Sequence, residues 1–136
     1  MNNEEQTLSI IKPDAVERNL QDSIKNDFES RGFEIIKEKK IHISKNEAEQ
    51  FYKVHETKPF YGELCNYLSS GPIIVMILQK ENAVKENRSL MGATDPKKAE
   101  ENTLRKKYGI SIDKNSVHGS DSIENAKIEI DFFFNK

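Results

Sequence analysis

The sequence predicts an α+β fold of the ferredoxin-like kind, a βαββαβ antiparallel sheet with helices covering one face. Three observations predict it. Strand-like and helix-like segments alternate along the chain. The run "PIIVMIL" at 72–78 is apolar on both parities, as a central strand should be. The segment from Phe33 to Ile43 alternates apolar with polar residues, as a strand with one wet face does. No repeat, low-complexity stretch or linker interrupts the chain, so residues 1–136 are read as a single domain.

The elements follow in order. "TLSIIKPD" reads as a short buried strand that Pro13 stops. Asn19 is placed as the cap of a helix with Leu20, Ile24 and Phe28 on one face, closed by Gly32. In the next strand Phe33, Ile35, Ile41 and Ile43 share one parity. Ser44 and Glu47 form a capping box, and the helix behind it carries Ala48, Phe51, Tyr52 and His55 at i, i+3, i+4 and i+7. Pro59 suits the first turn of a further helix, with Phe60, Leu64, Tyr67 and Leu68 on a face and Gly71 at its end. Asn82 to Met91 is helical and Gly92 ends it. Residues 93–117 hold only short helical pieces, after Asp95-Pro96 and after Thr103. A connection that long in a small domain is usually functional. A short strand around Val117 and a last helix from Asp121 or Ser122, with Asp121 and Glu124 as its capping box, complete the chain.

Composition narrows the function. With 136 residues the chain can bury a core without staples, although only 35% of them are hydrophobic and 32% are charged. Subunit contacts are therefore expected to share in its stability. A net charge of -2 gives no field to attract nucleic acid or an anionic membrane, so an anionic ligand needs a local cluster of Lys and Arg. The single cysteine, Cys65, excludes an internal disulfide and a zinc cage, and a reduced, cytoplasmic setting is expected. "MNNEEQ" lacks the character of a signal peptide, and "PIIVMIL" is too short to span a bilayer. There is no Walker loop and no GxGxxG.

The chemistry concentrates in "IIKPDAV" at 10–16, Tyr52 to Phe60 with its Pro-Phe end, "SGP" at 70–72, "NRSLMGATDP" at 87–96, Thr103-Leu104-Arg105, and "NSVHGSDS" at 115–122 followed by Glu129. In this order and spacing the motifs resemble those of nucleoside diphosphate kinase, over about Thr7 to Phe134. The resemblance implies transfer of the terminal phosphate of a nucleoside triphosphate such as ATP to a nucleoside diphosphate, by ping-pong kinetics through a phosphohistidine.

On this resemblance His118 is the nucleophile, through Nδ1. Its chemistry suits the role, since a neutral imidazole is competent near pH 7; alone it would read as a loop or core histidine. Glu129 lies seven residues past Ser122, two helical turns on and on the same face. The resemblance has it orient the ring; otherwise it is a solvated helix carboxylate. Ser120 would donate to the phosphohistidine or the γ-phosphate, or else cap the helix. Lys12, Arg88 and Arg105 match the cationic positions that hold phosphates, where charge spread over peripheral oxygens must be stabilised. Thr94 would add a hydroxyl to the β-phosphate, and Tyr52 would stand near the γ-phosphate, although its helix face is core-like. Phe60 and Ile112 would sandwich the base, and stacking accepts every base; Phe60 could equally pack on Leu64. Asn115 would bond the ribose 3′-hydroxyl together with Lys12, or serve as a turn residue. His42 and His55 match no such position and read as a wet strand face and helix packing. Mg²⁺ is the implied cofactor, carried on the nucleotide's phosphates with no protein metal site.

Two departures from the family stand out. Glu101-Asn102 replaces the usual Pro-Gly before Thr103, which puts the hexamer in doubt, leaves tetramer or hexamer open, and is expected to lower stability through the lost proline. Asp22 stands where glycine is frequent, and suits a helix start. The chain ends soon after Phe134, without the longer tail of eukaryotic members, so a bacterial source is expected. The rival readings are a catalytically idle nucleotide- or nucleic-acid-binding module on the same fold and a plain oligomer subunit. The joint presence of His118, Glu129, Lys12, Arg88, Arg105 and Asn115 opposes both, and the acidic balance opposes nucleic acid.

Overall fold

The computed structural model describes residues 4–111 and 114–134. Four strands, β1 (Glu4–Ile11), β2 (Glu34–Ile41), β3 (Ile73–Glu81) and β4 (Val117–Gly119), form one antiparallel sheet in the order β2-β3-β1-β4. This is the ferredoxin-like order that the sequence predicts. Ile73 to Leu78 of β3 are all buried. Its two parities feed two cores, Ile74, Met76 and Leu78 on one side, Ile73 and Val75 on the other.

The helical layer is fuller than expected. The crossover helices α2 (Gln21–Ser30) and α5 (Ala83–Met91) cover the first face with Ile24, Phe28, Leu90 and Met91. The second face is covered too, by α3 (Lys45–Phe51), α4 (Tyr61–Leu68) and α7 (Ile123–Phe134), which contribute Ala48, Cys65, Leu68 and Phe133. The cause lies in β3: a strand apolar on both parities leaves neither face wet.

β2 departs from the simple alternation. The register slips between Ile35 and Lys37, a β-bulge. Ile35, opposite Leu78, packs on the first core, while Ile41, opposite Ile73, packs on the second. Residues of one sequence parity thus serve opposite faces, because one extra residue reverses the alternation.

Several element starts follow local chemistry. Pro13 opens a short unanticipated helix, α1 (Pro13–Glu17), at the position where its missing N–H costs nothing. Asn19 does not cap α2. It sits at φ +59 in the turn between α1 and α2, a conformation Asn tolerates, and Leu20 holds the cap position. The Ser44–Glu47 capping box is present on both sides. α7 is capped by Ser122, whose Oγ accepts from the Asn125 amide at 3.0 Å, and not by Asp121, which accepts from the Asn125 side chain.

The long connection after α5 holds the two short pieces where expected. They are a 3-10 turn at Pro96–Lys98 behind an Asp95 cap, and α6 (Leu104–Tyr108) behind a Thr103 cap. Asn102 occupies φ +69. At Gly92, φ is +83 and a Cβ would stand 2.6 Å from Thr103 Oγ1, so glycine is required. The segment is tied to the body of the protein by Lys107 and Tyr108, which both donate to Asp27 of α2, and by Arg18, which donates to the Tyr108 carbonyl.

Candidate active site

His118 sits in the middle of β4, paired with Ile10 of β1. Its ring meets the edge of Phe51 at 5.3 Å between centroids, with Tyr52 at 6.5 Å. Nε2 lies 3.1 Å from Glu129 Oε1. A carboxylate only accepts, so Nε2 carries the hydrogen and Nδ1 keeps the lone pair. The two-turn spacing along α7 thus returns Glu129 to the ring. Ser120 is fully buried, and its hydroxyl donates to the same carboxylate oxygen at 2.8 Å. Here it braces Glu129, which differs from the expected donation to a phosphate. A Cβ at Gly119 would lie 2.3 Å from Asn87 Nδ2 and 2.7 Å from Met91 Cε, so the ends of both side chains would have to shift to admit one. β4 is therefore pressed directly against α5.

Tyr52 is buried against this group. Burial, then the Glu129 charge, push its phenol well above the ordinary tyrosine range, so it stays a neutral hydroxyl. The core-like face expected for Tyr52 is present, and the same ring stands 6.5 Å from that of His118.

The cationic side is built from β1 and the long connection. Lys12, buried at the end of β1, donates to Asn115 Oδ1 at 2.9 Å, and Asn115 Nδ2 donates to the Thr94 carbonyl at 3.2 Å. Arg105 donates to the carbonyls of Gly92 (3.1 Å) and Val117 (3.0 Å). Its Nε is buried with no partner among the described residues. Burial, then the neighbouring Arg88 charge, lower its pKa to about 10, which leaves it charged at neutral pH. Arg88, Thr94, Arg105, Gly92 and Gly119 line a cleft of about 270 Å³. Two guanidinium groups and a hydroxyl on one small cleft suit an anion with several oxygens. Phe60 holds the cap position of α4 and is 61% exposed, so core packing does not explain it. Ile112 lies outside the described residues.

Three residues matter here to which the sequence reading gave no part in the site. Phe51 packs on the nucleophile candidate, yet nothing in its spacing separates it from a core residue. Asp14 is a buried carboxylate bonded by Arg18 and Ser116. His55, read as helix packing, lies against Tyr52 at 6.2 Å. Burial, then Lys58, with His118 among the weaker contributors, lower its pKa. His42 is exposed, with Nε2 2.7 Å from the Ser69 carbonyl. Among the described residues no three His, Cys, Asp or Glu side chains are grouped to hold a metal, and no helix is long and apolar enough to cross a membrane.

Known proteins match the chain over nearly its whole length. The family model described as nucleoside diphosphate kinase matches residues 5–136. The nucleoside diphosphate kinase of Wolinella succinogenes is 56% identical over 130 residues, covering 96% of this chain and 95% of the relative. That of Campylobacter fetus is 55% identical over 132 residues, covering 97% and 96%. The crystal structure of the Aquifex aeolicus nucleoside diphosphate kinase superposes with a TM-score of 0.94 at 39% identity, covering 96% of this chain and 95% of that one. Family model, relatives and fold agree over nearly the whole length, and the chain belongs to the nucleoside diphosphate kinase family, whose members are phosphotransferases.

Proposed function

We propose that the protein moves the terminal phosphate of ATP or another nucleoside triphosphate to a nucleoside diphosphate, in two half-reactions through a phosphohistidine at His118. The observation that carries this reading is the Nε2–Glu129 bond, which leaves Nδ1 as the nucleophilic nitrogen. In the first half-reaction the Nδ1 lone pair attacks the γ-phosphorus. The bond to the bridging oxygen breaks, and the diphosphate leaves with that electron pair. In the second, a diphosphate oxygen of the acceptor attacks phosphorus and the P–N bond breaks. Glu129, braced by Ser120, holds the ring and offsets its growing positive charge.

Arg88, Arg105 and Thr94 hold the phosphates in the cleft, Lys12 and Asn115 take the ribose side, and Tyr52 stands by as a neutral donor. Phe60 offers its exposed ring to the base, with Ile112 on the other side, so every base is accepted. The donor set fits Mg²⁺ only as an ion carried on the nucleotide, since no carboxylate cage stands among the described residues. When bound, it neutralises phosphate charge and orients the phosphates. A homo-oligomer, tetramer or hexamer, of this one domain in the cytoplasm completes the reading, supported by the uncovered edge strand β2.

The test is intact-mass analysis after incubation with ATP and Mg²⁺. The protein gains one phosphate, labile to acid and stable to base, and returns it to any of several nucleoside diphosphates. No mass gain overturns the reading.

A further inference from the structure

Between the ribose side of the cleft and the nucleophile stands a single residue in an unusual conformation. Ser116 has φ +75, and the Val117 amide donates to the Asn115 carbonyl at 2.9 Å. A bond from residue i+2 back to residue i around a positive φ is a γ-turn of the rare, strained hand. Such backbone costs about 1–3 kcal/mol and persists only where its surroundings over-determine it.

The surroundings here do so. Ser116 is fully buried, and its hydroxyl donates to Asp14 Oδ2 at 2.7 Å, with the Tyr108 carbonyl at 3.0 Å. Arg18 donates to that same Oδ2 at 3.0 Å and to Ser116 Oγ at 3.1 Å. Tyr67 donates to the other oxygen of Asp14. The Ser116 carbonyl accepts from the Lys12 amide at 2.8 Å. The turn is thereby gripped through side chain and main chain, and its grips lead to Lys12 and Asn115, which bond each other at 2.9 Å.

We propose that Ser116 and Asp14 are positioning residues: their hydrogen bond holds the strained turn that presents Lys12 and Asn115 to the nucleotide at a fixed offset from His118. His118 itself needs no such help. The β4 ladder and Glu129 hold it independently. The clamp therefore acts on the nucleotide-binding side and leaves the imidazole's own reactivity alone. It rests on the phosphohistidine reading above.

Two phosphoryl donors separate these parts. ATP with Mg²⁺ uses the ribose and phosphate contacts. Phosphoramidate has no nucleoside and makes no ribose contact: Nδ1 attacks phosphorus, the donor's P–N bond breaks, and nitrogen leaves with that electron pair, taking up a proton as ammonia. Labelling rates per folded molecule are measured for wild type, Ser116→Ala and Ser116→Gly. Glycine adopts positive φ without strain, so this variant keeps the fold while lacking the hydroxyl. Ser116→Ala labels from ATP at least about 10-fold more slowly at saturating nucleotide, as for a misplaced positioning group, and Ser116→Gly, freed of strain but no longer fixed by the hydroxyl, loses less. Their labelling from phosphoramidate stays within about two-fold of wild type, because the nucleophile is untouched. The clamp is overturned if either folded variant labels from ATP at the wild-type rate, whatever its melting temperature, or if both donors slow in parallel. Wild type that takes phosphate from neither donor removes the phosphohistidine reading and the clamp together; wild type that labels beside indifferent variants removes the clamp alone.

Discussion

The two sides of the cleft are built by different means. The side of the proposed nucleophile is regular structure: His118 is fixed by strand pairing, and Glu129 reaches it from a twelve-residue helix. The cation side is a connection with little regular structure, held by the functional side chains themselves. Arg105 spends two of its donors on the carbonyls of Gly92 and Val117, and Asn115 spends one on Thr94. The lesson is that chemistry and architecture are separable on the first side and shared on the second. On the proposed mechanism a substitution at His118 removes chemistry and leaves the strand pairing in place, whereas one at Arg105 also removes a fastener of the backbone.

Substitutions can break or sharpen this contrast. His118→Ala has the largest effect: turnover falls by at least ~10⁴-fold, as for loss of a nucleophile, and phosphate labelling vanishes. Its melting temperature stays close to wild type, because β4 keeps its ladder. Turnover assays, intact mass and thermal melts check this together, and retained labelling moves the nucleophile elsewhere. Arg105→Ala comes next, with kcat/KM lower by ~10²–10³-fold, the scale for removing one preorganised donor to developing charge. It also destabilises by about 1–3 kcal/mol, since buried carbonyls lose their partners. Denaturant titration measures that loss, and an undiminished stability would erase the contrast between the sides. Phe60→Ala is the mildest. Its exposed ring contributes nothing to the core, so stability is unchanged, while nucleotide affinity falls by about 1–3 kcal/mol of stacking. Purine and pyrimidine diphosphates lose affinity to a similar degree in binding titrations; a loss confined to one base contradicts a stacking role.

The same contrast governs what the sequence made legible. Capping residues and glycines mark element ends by local chemistry, so Ser44, Thr103 and Gly92 fall where expected. Glu129 was legible because helical spacing is rigid over two turns. The β2 bulge was not, because a one-residue slip is decided by what β3 and the two cores require and leaves no mark in the alternation. Asn19 misled because Asn serves equally as a cap and as a left-handed turn residue. Ser120 was expected to face a phosphate; only the fold reveals that Glu129 lies nearer to hand. Ser116 carries no signal at all, since the carboxylate it bonds, Asp14, lies 102 positions away in the chain.

Asn102 carries a consequence for how such connections change during divergence. The family's usual glycine is absent, yet φ there is +69, a conformation asparagine visits more readily than most side chains. A left-handed dihedral is open to glycine and to asparagine alike, so more than one residue type can encode it. The neighbouring replacement of proline by Glu101 frees the unfolded chain, while the replacement of glycine by asparagine restricts it. The entropy gained with asparagine is set against the strain of a side-chain-bearing residue at positive φ, so it does not cancel the roughly 0.4–1 kcal/mol that a missing proline costs.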